Sequence, residues 1–182
     1  MIIEGTKLDL ACGNNKKEGY IGIDIIKTDS TDYVFDLLQF PWPIESDTIE
    51  EINCSHYMEH IPHDIKNPND SRDGLIQFMD EMYRVLKVGG KAYVACPYYT
   101  SVRAYGDPTH TRYMGEWSFF YFNKEWRQNT NLEHYNIKSN FDMKYSYLIT
   151  NDLTLRSEEV RNDAFQHDWN AVDDIFVELI KI

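Results

Sequence analysis

The sequence predicts an α/β domain with a seven-stranded, mostly parallel sheet flanked by helices, and three observations predict it. Short apolar, β-branched runs recur through the first hundred residues, each closed by turn-forming residues. Residues 74–87 carry apolar side chains at helical spacing. Residues 142–150 and 174–182 alternate apolar with polar, as strands do. Strands that alternate with helical stretches pack as a sheet with helices against it.

The first strand is expected at 7–11, running into Cys12-Gly13-Asn14-Asn15, and the second at 20–25. A third follows at 33–35 and a fourth at 48–54. Leu75, Ile76, Phe78, Met79, Met82, Tyr83, Val85 and Leu86 mark one face of a helix. Gly89-Gly90 is expected to stop it, since glycine takes positive φ without a Cβ clash. The fifth strand follows at 91–96, ended by Pro97. Residues 98–135 read as aromatic and irregular, with a short helix near 115–122. The last two strands, 142–150 and 174–182, form an antiparallel pair. Neither repeats nor low-complexity stretches divide the chain, so a single domain over 1–182 is expected.

Thirty acidic against eighteen basic residues give a formal charge of −12, a field that repels phosphate backbones and anionic lipid. Neither nucleic acid nor a membrane is therefore an expected partner, and no stretch has the length to span a bilayer. The start lacks a basic region followed by an apolar one. Cys12, Cys54 and Cys96 are odd in number and widely spaced, which is no disulfide framework. A cytoplasmic protein is the expectation, with the cysteines as small packing groups and no metal. A homo-oligomer stays open.

Ligands of open α/β sheets bind beyond the carboxyl ends of the strands. Here the first strand ends in Asp9-Leu10-Ala11-Cys12-Gly13-Asn14-Asn15, small residues that let a ligand approach the backbone. Eleven residues past Gly13, Asp24 closes the second strand. Its two oxygens can accept both hydrogens of a ribose diol.

LDLACGNNKKEGYIGIDI resembles the first motif of class I S-adenosylmethionine methyltransferases. Asp9 stands at the motif's acidic start, Gly13 at its central glycine and Asp24 at the ribose-binding acid. Ala11 and Asn15 replace the outer glycines, and the gap to Asp24 is too short for the usual helix. Small members of the family share this compression. Asp36-Leu37 resembles the adenine-holding loop, and the stretch ending in Asn53-Cys54-Ser55-His56 the strand beneath the methionine end. Arg84-Val85-Leu86-Lys87-Val88-Gly89-Gly90 resembles the family's turn before the fifth strand. The resemblance implies a Rossmann-like fold and S-adenosylmethionine as cofactor. It assigns cofactor contacts to Asp9, Ala11, Gly13, Asn15, Asp24, Ile25, Asp36, Leu37 and Ser55. The implied reaction is methyl transfer to a small-molecule acceptor, a sugar or another metabolite. A cofactor-binding protein without activity is the alternative.

Asp107-Pro108-Thr109-His110-Thr111-Arg112 resembles a segment that folds over the pocket mouth in the same relatives. Asp107, His110 and Arg112 are the acceptor-side candidates, against the simpler reading of a loop whose polar groups satisfy backbone. His56 and His110 are the candidate bases for a hydroxyl acceptor, with Glu59 behind them. His56-Tyr57-Met58-Glu59-His60 also spells the inverted zinc-protease motif. That chemistry needs both histidines on one helical face, and here the first follows directly on a strand.

Overall fold

The computed structural model describes residues 6–182. The five parallel strands are β1 (Lys7–Leu10), β2 (Ile21–Asp24), β3 (Tyr33–Val34), β4 (Ile49–Ser55) and β5 (Leu86–Pro97). Then come α1 (Gly74–Val85) before β5, and α2 (Val102–Gly106), α3 (Glu116–Phe120) and α4 (Lys124–Asn129) after it. The chain ends through β6 (Phe141–Ile149), α5 (Asn151–Thr154), α6 (Glu158–His167) and β7 (Val172–Lys181). The strands form one seven-stranded sheet in the order β3-β2-β1-β4-β5-β7-β6. Only β7 runs against its neighbours, β5 and β6. The expected sheet is present, and so is its antiparallel final pair.

Strand alternation sorts the side chains onto two faces. Leu8, Leu10, Ile23, Ile52, Cys54, Ala92, Val94, Ile175, Val177 and Leu179 belong to one buried cluster. Phe78, Met79, Met82 and Val85 of α1 complete it. Asp73 caps α1 by accepting the Leu75 N–H at 2.9 Å, a contact that stabilises a helix by about 1 kcal/mol. The opposite face is polar. Lys7 pairs with Glu51 at 2.8 Å, Lys91 pairs with Glu178 at 3.1 Å, and Phe176 stays exposed beside its register partner Ser146. The Tyr20 hydroxyl donates to Glu51 at 2.6 Å, so the loop ahead of β2 folds onto this face. Gly22 allows both flanking loops to close in: a Cβ there would stand 2.8 Å from the Lys16 side chain, in the loop where a helix would follow β1, and 2.3 Å from the Ser30 carbonyl oxygen in the loop after β2.

Some expectations are corrected. Gly89-Gly90 does not stop α1, which ends at Val85 because Leu86 already takes extended backbone (φ −66°, ψ 140°) and pairs with Ile49. The glycines instead form a bulge, since the next β4 pair after Ile49–Leu86 is Glu51 with Lys91. Lys181 locks this corner. Its buried ammonium donates to the carbonyls of Tyr83 and Leu86 and to Asp47 at 2.7–2.8 Å. The stretch 98–135 holds α2 and α4 besides α3, so it is less irregular than expected.

Candidate functional site

The carboxyl end of β1 turns sharply through Ala11 (φ 53°) and Gly13 (φ 54°). This left-handed turn aims the Gly13 N–H at Asp24, whose Oδ2 accepts it at 2.9 Å. The Ile26 N–H donates to Oδ1 at 3.0 Å. Two backbone donors thus fix the carboxylate, and each oxygen keeps accepting capacity for a ligand hydroxyl. A cavity of about 410 Å³ opens here, lined by Ala11, Asp24, Ile25, Asp36, Leu37, Leu38 and Tyr57. That volume is within the range of about 300–1,000 Å³ usual for small-ligand sites. Asp36 spends Oδ1 on the Leu38 N–H at 2.8 Å. Tyr57 packs against Phe78 with ring centroids 5.5 Å apart, and burial pushes its phenol well up, so it stays protonated.

Just past β4, His56 is held at φ 53°. Its Nδ1 stands 3.3 Å from Glu59 Oε1 and its Nε2 3.8 Å from Asp174 Oδ2. Glu59 and Asp174 are both buried. The Glu59 carboxylate raises the imidazole above its ordinary pKa, while burial raises Asp174 despite the Arg103 guanidinium 2.7 Å away. Thr111 and Arg112 donate their N–H groups to the Glu59 carbonyl at 2.8 and 3.2 Å, which seats the 107–112 segment over this turn.

No protein-family model matches the sequence, and no curated protein does. Solved structures do. An S-adenosylmethionine-dependent methyltransferase from Archaeoglobus fulgidus superposes with a TM-score of 0.65 at 20% identity, over 97% of this chain and 86% of that one. A second such enzyme, from Mesorhizobium loti, gives 0.52 at 11% identity, over 97% and 90%. The YcgJ protein of Bacillus subtilis gives 0.54 at 14% identity, over 97% and 91%. The chain has the class I S-adenosylmethionine methyltransferase fold. At such identities the likeness is one of fold, and the site has to be argued from this chain's own residues.

Within that methyltransferase fold, five of the expected cofactor residues line one cavity: Ala11, Asp24, Ile25, Asp36 and Leu37. Gly13 acts through its backbone on Asp24. Asp9 lies elsewhere, 3% exposed, accepting from the Lys17 N–H and the Asn53 amide, both at 2.7 Å. It braces the loop after β1. Asn15 closes that loop with its N–H on the Cys12 carbonyl at 3.1 Å. Ser55 lines a different hollow, about 450 Å³ on the polar sheet face, with Asn53, Tyr93 and Phe176. Strand parity explains this, because Ser55 and Cys54 face opposite ways.

On the acceptor side, Arg112 is occupied by the chain itself. Its guanidinium donates to the carbonyls of Ile61 and Pro62 at 2.6 and 2.9 Å and pairs with Asp73 at 2.9 Å. Asp107 holds Thr109, and His110 donates through Nδ1 to the Ala104 carbonyl at 3.0 Å. Sequence reasoning missed Tyr57 and Leu38 as cavity walls and His60 as a neighbour of His110. The one available signal was an aromatic residue two positions past the fourth strand.

Proposed function

We propose that the chain binds S-adenosylmethionine in the cavity at Asp24 and transfers its methyl group to a small-molecule acceptor. The observation that carries this reading is Asp24 itself, fixed by two backbone donors at the carboxyl edge of the sheet with both oxygens open to a ribose diol. Asp36 offers its second oxygen to an adenine amino group, with Leu37, Leu38 and Tyr57 as apolar walls. Asp9, Gly13 and Asn15 shape the turn. Ser55 drops out of the cofactor set because its side chain faces the polar hollow.

The bound cofactor supplies a methyl group already activated by its sulfonium charge. What remains for the chain is to hold the acceptor in line, keep water out and take a proton where the acceptor has one. His56 is the group placed for that proton, a half-exposed imidazole braced by Glu59 and Asp174. His110 is more enclosed, with 7% of its side chain exposed, and is the less accessible base. Asp107, almost half exposed, is open to a hydroxyl of a polar acceptor such as a sugar.

Calorimetry with S-adenosylmethionine and S-adenosylhomocysteine tests the site, comparing the native chain with Asp24→Asn, which keeps the side chain's shape. Binding should weaken at least tenfold, about 1.4 kcal/mol, with only the modest fall in melting temperature that the loss of one acceptor for a backbone N–H brings. Failure of a well-folded native chain to bind either compound overturns the reading. Binding without turnover on any of a panel of hydroxylated and amino acceptors leaves a cofactor-binding protein without activity.

A further inference from the structure

We propose that Glu59, His60 and His110 form a binding site for one divalent transition-metal ion. One donor atom of each lies within 4.8 Å of the others. Glu59 and His60 come from the single 3₁₀ turn Met58–His60 after β4. His110 comes from the 107–112 segment, which the Thr111 N–H ties to the Glu59 carbonyl.

Two independent features point to a cation. Glu59 is 1% exposed, and neither of its carboxylate oxygens has a hydrogen bond of good geometry among the described residues, the half-exposed His56 ring standing 3.3 Å from Oε1 without forming one and leaving Oε2 unserved. A carboxylate buried in that state is costly, and a cation between it and the two rings removes the cost. The second feature is the arrangement of protons. His110 Nδ1 lies 3.0 Å from the Ala104 carbonyl, which can only accept, so Nδ1 carries the proton and Nε2 a free lone pair. Thr109 donates its one hydroxyl proton to Asp107 Oδ1 at 2.6 Å. It must therefore accept from His60 Nδ1, 3.0 Å away, which leaves that ring's Nε2 bare as well. Metal-ligating histidines are held in this way, the far N–H pinned by a carbonyl or a carboxylate-linked group.

Two imidazoles and one carboxylate suit zinc, cobalt(II) or iron(II) better than calcium or magnesium, which prefer all-oxygen shells. Three protein ligands leave a position open for water or an acceptor oxygen, as in catalytic zinc sites. Bonds of about 2.0–2.1 Å put tetrahedral ligands about 3.4 Å apart. The two rings would thus swing inward by about 1 Å onto Glu59, the most enclosed of the three. His56 is not part of this set. Its Nδ1 stands 3.3 Å from Glu59 Oε1 and competes for that oxygen. The H-x-x-E-H motif therefore contributes only its Glu and second His, joined by a histidine fifty residues on.

Cobalt(II) titrated into the chelator-stripped full chain tests the site. One equivalent should bind, with visible d–d bands and no thiolate charge-transfer band. His60→Ala and His110→Ala should each weaken binding by more than the roughly 10–100-fold typical of outer-shell losses, and Thr109→Val by an amount within that range. His167→Ala, far along the chain and exposed, should change nothing. Glu59→Gln should melt no lower than the stripped native chain yet lose the cobalt-induced rise in melting temperature. Absence of binding overturns the proposal, as does binding that His60→Ala and His110→Ala leave unchanged. The outcome does not depend on methyl transfer.

Discussion

Ala11 and His56, each directly past the carboxyl end of a strand, hold left-handed backbone at φ 53°. For an L residue that conformation costs about 1–2 kcal/mol, so the turns around the site store strain that the rest of the fold outweighs. At Ala11 the effect can be measured. Replacing Ala11 with glycine relieves the Cβ conflict but gives the unfolded chain more freedom, worth about 0.4–1 kcal/mol in the opposite direction. Ala11→Gly should therefore raise stability by about 0.5–1 kcal/mol in urea denaturation, with the slope unchanged. A loss of stability would mean that the Ala11 methyl packs against the cavity wall well enough to offset its backbone strain.

At the scale of elements, one cation links the approach to α1 with the approach to β6. Arg72 chelates Asp70, reaches Asp80 at 2.6 Å and donates to the Asn136 carbonyl at 2.6 Å. Asp80 returns two bonds, from the N–H groups of Lys138 and Ser139 at 3.0 and 2.8 Å. The Arg72 guanidinium holds the Asp70 carboxyl below its ordinary value. A depressed carboxyl contributes stability that is complete above its unfolded pKa, about 3.9, and disappears as pH falls through the lower folded value. Arg72→Ala should therefore unfold at a higher pH in an acid titration, by circular dichroism. The stability gap between the two chains should narrow below that window. Equal acid midpoints would show that the cluster is too solvated to matter. This link was not legible in the sequence, because Arg72 and Asn136 lie 64 residues apart and share no periodic pattern. The strands were legible for the opposite reason, since each is a continuous apolar or alternating run. α6 went unread because Glu158–His167 has Ala164 as its only buried residue, so no apolar stripe marks it. The turn that joins Gly13 to Asp24 was legible as a motif, whereas the sheet face on which Ser55 lies was not, because a motif carries order along the chain and not strand parity. Glu59, His60 and His110 assemble only through the fold.

Over the whole molecule, the formal charge of −12 acts on any charged ligand that approaches. S-adenosylmethionine carries one more positive charge than S-adenosylhomocysteine, because the sulfonium becomes a neutral thioether once the methyl has left. An acidic chain therefore favours the substrate form of the cofactor over the spent form, beyond any contact in the cavity. Salt should shrink that preference, since the screening length falls from about 30 Å at 0.01 M to about 3 Å at 1 M. Across that range the affinity for S-adenosylmethionine should drop several-fold in calorimetry while that for S-adenosylhomocysteine stays nearly level. Arginine or lysine placed on the polar sheet face, away from the cavity, should produce the same convergence at low salt. If both ligands weaken together, the discrimination lies in the groups that line the cavity, and the acidic surface then serves solubility alone.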